Sequence, residues 1–194
     1  MARKRYGFSI TAILLMISIF PAAGWGAKLN IDMFEAKYII APTDSRDIRI
    51  LLKFDLPEKL SSPGVVVDFA VLRVKAEVRG GAMGQIDIYP IMTDWTDKAS
   101  VTWNDPWNEA GGDYSNSYLS SNYTLLPERG FEEISIDITE IVRAWTNGEL
   151  ANHGIVLLAS KEISARDVKH TVDHENAGVT IFYSRNINDI KRSQ

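Results

Sequence analysis

Four cations stand at strand spacing in this chain. Arg49 and Lys53 lie four residues apart in R-I-L-L-K, and Arg73 and Lys75 lie two apart in L-R-V-K. Side chains of an extended segment alternate between faces, so the members of each pair point the same way. If the two segments neighbour one another in one sheet, the four make a basic stripe. Cations fixed on a rigid sheet suit the successive carboxylates of a uronic-acid polymer, with arginine supplying two-pronged contacts. Cross-strand pairing with Asp47, Asp55, Asp68 or Glu77 is the competing fate, the usual one for outward charges. Trp107, beside Pro106 in a polar stretch, is the candidate for an exposed ring that stacks on a ligand.

Two further constellations carry metal-ligand types. Asp105, Asn108, Glu109 and Asp113 put oxygen ligands of the calcium kind in one loop, but their spacing fits no EF-hand, and a solvated acidic loop is the alternative. His170 and His174 share a face of an extended segment yet stand about 13 Å apart, too far for one ion, with Asp173 and Glu175 facing away. A solvated or salt-bridged surface is expected there. No cofactor is expected, calcium being the one candidate.

Catalytic signatures are missing from the sequence. There is no G-x-S-x-G elbow, no H-E-x-x-H helix, no phosphate-cradling glycine loop, and none of the three histidines adjoins an obvious nucleophile. The expectation is no enzyme, with a carboxylate-pair polysaccharide-degrading activity as the weaker alternative.

These residues need strands to hold them. Ile50, Leu52 and Phe54 alternate with Arg49, Leu51, Lys53 and Asp55, and Pro57 ends the run. After Ser61-Ser62-Pro63-Gly64, the residues Ala70, Leu72, Val74 and Ala76 alternate with Arg73, Lys75 and Glu77. Strands are also expected at 86–91, 134–138, 155–158 and 179–183, with a long loop over 104–130 broken by short strands near Tyr118 and Leu125. Ile141, Val142 and Trp145 change to helical spacing, predicting one short helix near 138–147 that closes one end. Asp137 and Glu140 suggest a capping box there, and Gly148 a left-handed stop. Short strands with turn signals between them predict an all-β, jelly-roll-like antiparallel β-sandwich.

Bulk properties bound the setting. Arg3, Lys4 and Arg5 precede the apolar run Ile10–Phe20 and the small residues around Gly24, the order of a secretory signal peptide over 1–26. The sandwich then spans 27–185 and a polar tail 186–194. Taking away those three cations leaves 18 basic against 25 acidic residues, a net charge of −7, so nucleic acid is not an expected partner. There is no cysteine, hence no disulfide and no lipidated cysteine. A secreted protein, extracellular or periplasmic and without a membrane span after cleavage, is expected.

The tryptophans of T-D-W-T-D-K-A-S-V-T-W divide differently. Val101 shares a face with Trp103, which marks Trp103 as core, while Trp95 is expected to plug the end of the sandwich. Five blocks in order then carry a resemblance: R-x-L-L-K-F-D-L from Arg49, the strand after Pro63-Gly64, D-W-T-D-x-x-x-V-T-W-N-D-P from Asp94, I-D-I-T-x-I-V-x-A-W-x-N-G from Ile136, and N-H-G-I-V-L-L from Asn152. Over roughly residues 32–184 the chain resembles the DNRLRE-domain family, which overlaps carbohydrate-binding module family 96. The resemblance implies a secreted, non-catalytic sandwich, with acidic polysaccharides such as alginate among the family's ligands. The chain departs from it in lacking a clear first strand before Arg46 and an attached catalytic module. A polysaccharide-binding module is therefore the leading expectation. A structural or adhesive protein that holds a cell-surface or matrix protein through an edge strand or the 104–130 loop is the alternative.

Overall fold

The structure, a computed structural model, describes residues 26–42, 47–76, 84–98, 100–115, 121–125, 132–159 and 172–185. The described residues form two antiparallel sheets. One runs β1 (Ala27–Asp32), β9 (Val172–Arg185), β4 (Val65–Ala76), β7 (Glu132–Asp137); the other runs β2 (Glu35–Ile40), β3 (Ile48–Lys53), β8 (Ile155–Ala159), β5 (Gly84–Pro90), β6 (Ser121–Leu125). Their facing sides share one core, with Ile50, Leu52, Ile88 and Leu157 from the second sheet against Ala70, Leu72, Ile136, Val179 and Ile181 from the first. The all-β sandwich is as expected. Two strands precede Arg46, however: Leu29 and Ile31 alternate with Lys28 and Asn30 in β1, and β2 pairs with β3 along its full length. Residues 1–25, 186–194, Tyr118 and His170 lie outside the described residues, as do the side chains of Asp173, His174 and Glu175. Among the described residues, no helix is long and apolar enough to cross a membrane.

The single α-helix among the described residues, α1 (Thr139–Thr146), carries the chain from β7 in one sheet to β8 in the other. Its place is set by a gap in pairing. β7 covers β4 only from Val71 to Ala76, leaving residues 65–70 of β4 without a strand on that side. An open sheet edge exposes unpaired backbone, and here the start of the helix supplies the missing partners. Ile138 N donates to Ala70 O at 2.9 Å, and Ala70 N donates to the Thr139 hydroxyl at 2.9 Å. Further along, Arg143 donates from Nε to Val67 O at 2.8 Å and from Nη2 to Asp68 O at 3.1 Å. Those carbonyls flank a register shift against β9 between Val67 and Phe69. Ile141, Val142 and Trp145 then fill the end of the core.

The cap differs from the expected box. Asp137 accepts the Thr139 N–H at 2.8 Å and its hydroxyl at 2.6 Å, but Glu140 turns outward and meets Arg143 Nη1 at 2.5 Å. Gly148 does take the left-handed stop, at φ +75°. Thr139→Val therefore orphans a buried N–H and should cost about 1–3 kcal/mol, whereas Glu140→Ala loses only a surface pair, about 0.5 kcal/mol. Equilibrium urea unfolding of the two variants checks the difference.

Candidate functional site

β3 has no solvent face. Ile48, Ile50 and Leu52 point into the main core, and Leu51, between Arg49 and Lys53 on the other side, is equally buried. It belongs to a second apolar cluster with Ile39 of β2, Val156 of β8 and Ile91, Trp95 and Trp107. The segment 91–115 thus lies across the outside of the five-stranded sheet. It starts and ends side by side, since Ile91 bridges Tyr114, Met92 N donates to Asp113 O at 2.8 Å and Ser115 N to Pro90 O at 3.2 Å.

Two of the four cations are consumed in fixing this cover. The Arg49 guanidinium sits 4.5 Å from the ring centre of Trp103 and 5.2 Å from that of Tyr114, and donates from Nη1 to Gly111 O. Its Nε is buried 3.7 Å from an Asp47 oxygen, beyond hydrogen-bonding distance. Gly111, at φ +92°, is the residue that lets the chain come so close: a Cβ there would stand 2.5 Å from Arg49 Nη1. Lys53 Nζ reaches the Thr96 hydroxyl at 3.4 Å and Asp94 at 3.9 Å.

The tryptophans do the packing. Trp95 is fully buried, as expected for core, but it lies on the outside of the sheet and not at the sandwich end; its Nε1 donates to His153 O at 2.7 Å. Trp107 is 7% exposed and donates to Thr102 O at 2.8 Å, so it is no exposed stacking residue. Trp103 is half-buried against the same cluster. The N-H-G block anchors the other side, where Asn152 Nδ2 donates to Phe54 O at 2.8 Å and Gly154, at φ +90°, packs its Cα onto Leu52 O.

One of the acidic calcium candidates, Asp113, serves the loop itself. Asp113 accepts hydrogen bonds from the Thr93 hydroxyl at 2.5 Å, from Asn108 N and Nδ2 at 2.9 and 2.8 Å, and from Glu109 N at 2.8 Å. Burial works to raise its pKa, and these donors outweigh it, holding the carboxyl below the ordinary 3.8. Among the described residues no three acidic or histidine side chains gather as for a metal ion. A groove of about 670 Å³ remains beside the loop, lined by Arg49, Met92, Asn108, Glu109 and Tyr114 among others. Glu109 and Asp113 make it a poor place for a polyanion.

The expected stripe is divided between the two sheets. β3 and β4 are not neighbours, and Arg73 and Lys75 stand on the opposite outer face of the sandwich. That face is open and its rows follow from the register. Lys28, Phe182 and Phe69 form one row; Asn30, Thr180, Val71 and Asp137 the next; Asp32, Gly178, Arg73 and Ser135 a third; Asp173, Lys75 and Glu133 follow in register. Val71 and Thr180 lie low, while Phe69 and Phe182 are 43% and 39% exposed. The guanidinium of Arg73 leans over Gly178, where a Cβ would come within 3.3 Å of its Nη2. Its Nε is buried without a hydrogen-bond partner, and no ion pair joins it to a described carboxylate. Phe69 was legible as an outward aromatic, since D-F-A-V-L sets it opposite Ala70 and Leu72.

No protein-family model matches the chain, and no curated protein matches it.

Arg49→Ala should cost about 2–3 kcal/mol in urea unfolding, from the lost ring contacts and an orphaned Gly111 carbonyl, and Arg49→Lys should not restore it. Acid should loosen the same loop in two stages. Desolvation lowers the pKa of His153, only partly offset by Asp94, so folding resists its protonation and stability falls as pH drops below the ordinary 6.5. The Thr96 hydroxyl bond lowers that of Asp94, and Asp113 is lowered as above, so their contribution, complete above 3.8, is lost below it. Tryptophan fluorescence of urea unfolding between pH 8 and pH 3 should show both limbs, with His153→Asn removing the upper one.

Proposed function

We propose that the protein is a secreted, non-catalytic module that binds an acidic extracellular polysaccharide through the open face of the β1-β9-β4-β7 sheet. The observation that carries this reading is Arg73. Its guanidinium lies against a glycine on the neighbouring strand, its Nε is buried without a partner, and no described acid pairs with it. A carboxylate arriving from outside would find a donor already oriented and partly stripped of water, where a charge-assisted bond is worth more than at a free surface. The acids Asp32, Glu133 and Asp137 on the same face, with Asp173 opposite Lys75 in register, restrict the anion to the neighbourhood of Arg73. Such spacing suits discrete carboxylates better than a continuous sheet of charge.

The resemblance to DNRLRE-domain proteins supports the same ligand class. Most of the blocks that carry it belong to the core, the helix and the loop cover. Arg73 and Lys75 lie in the block after Pro63-Gly64 and are the cations that remain available.

Affinity electrophoresis of the chain from residue 27 through gels holding alginate, polygalacturonate, xylan or no polymer tests the proposal. Retardation by the two uronate polymers that fades with salt is expected. Arg73→Ala with Lys75→Ala should weaken it about tenfold or more, while Lys53→Ala leaves it unchanged. Equal mobility in all gels would sink the reading and direct attention to protein partners.

A further inference from the structure

The two most exposed aromatic rings of the β1-β9-β4-β7 sheet lie on its open outer face, directly opposite one another in register. Phe69 and Phe182 have ring centroids 6.3 Å apart with planes inclined by 30°, and Lys28 Nζ stands 5.9 Å from the centre of the Phe182 ring. The row behind them is lower, because Val71 and Thr180 are short and buried, and Thr180 is tied to Asn30 by a 3.0 Å hydrogen bond. Beyond that row lies Arg73. Four residues along β4 separate Phe69 from Arg73, about 13 Å at strand rise. The face is therefore a shallow saddle, with rings at one end and a guanidinium at the other.

We infer that Phe69 and Phe182 form a pyranose-stacking subsite, so that a chain of acid sugars lies along β4 and β9 with one ring face on the aromatic pair and a carboxylate at Arg73. The inference rests on the polysaccharide reading and adds to it a direction and a minimum length. Apolar rings exposed at the centre of a sheet normally mark a contact surface. What covers them must satisfy the charges alongside. A second copy of the chain would bring its own Lys28 and Arg73 and bury the partnerless Nε of Arg73 deeper, an uncompensated cost. A sugar chain brings apolar ring faces and oxygen acceptors for a guanidinium whose Nε has no partner. A single sugar cannot span 13 Å, so only an oligomer engages both ends.

The test compares wild type, Phe69→Ala with Phe182→Ala, and Phe69→Tyr with Phe182→Tyr in polygalacturonate gels at low and raised salt, with galacturonic acid monomer as competitor. The alanine pair should bind about threefold to thirtyfold more weakly. It should also lose the residual retardation that wild type keeps at raised salt, since stacking is not screened. The tyrosine pair should bind as wild type, and the monomer should compete poorly. If wild type binds and the alanine pair, melting at the same temperature, binds equally at both salt concentrations, the stacking subsite is refuted while the cationic reading stands. If wild type fails to bind any uronate polymer, both fall. Sedimentation that shows a wild-type dimer dissociated by the alanine pair, without change in glycan retardation, would likewise overturn the inference.

Discussion

The outside of the five-stranded sheet is apolar at Leu51 and Val156 and has to be covered. A sheet in a sandwich ordinarily leaves one face to water, and its strands then read as clean alternation. Here β3 and β8 carry buried residues on both sides, as a continuous run such as I-V-L-L requires. The cover comes from segment 91–115, which packs Ile91, Trp95 and Trp107 onto those side chains. A loop has many backbone groups to satisfy, and several polar residues are committed to that task. Asp113 holds Asn108 and Glu109, Asp94 holds Thr96, and Arg49 holds Gly111.

This constraint divides the molecule by sheet. The loop occupies one outer face, and among the described residues the other outer face exposes Phe69 and Phe182. The division explains why one residue type plays opposite parts. Arg49 faces two rings and a carbonyl, so its charge is spent on the loop. Arg73 lies against Gly178, and among the described residues no carboxylate pairs with it. Depth and partners, not residue type, decide which cation remains available to a ligand.

Much of the fold was legible in the sequence, and the site only half so. Alternation of period two located β3, β4, β5 and β7, and the change to helical spacing at Ile141 located α1. β1 and β2 escaped because six-residue strands with mixed polar residues give weak alternation, and their pairing supplies what propensity does not. The stripe failed for a different reason. Alternation tells which side a residue faces but not which sheet its strand joins, and β4 crosses to the opposite sheet after the turn at Pro63-Gly64. Leu51, an apolar residue between two cations, was the available sign that the Arg49 face is covered. Trp107 misled because its polar neighbours hide that the loop packs its rings inward.

A buried polar atom without a partner is costly wherever it occurs, and three such side-chain nitrogens stand out here, in Arg49, Arg73 and Trp145. The orphaned atom alone does not mark a function. Trp145 Nε1 is at the end of the core and Arg49 Nε is beneath the loop, each among packed side chains. Arg73 differs in standing on a face that also exposes two aromatic rings. A group arriving from solvent can relieve there what the fold leaves unsatisfied. Local rules are broken on this face in two independent ways, exposed rings and a buried guanidinium nitrogen without a partner, within about 13 Å of each other. Broken rules that converge on one accessible surface are what a binding site produces, because its side chains are arranged for the partner and not for the chain itself.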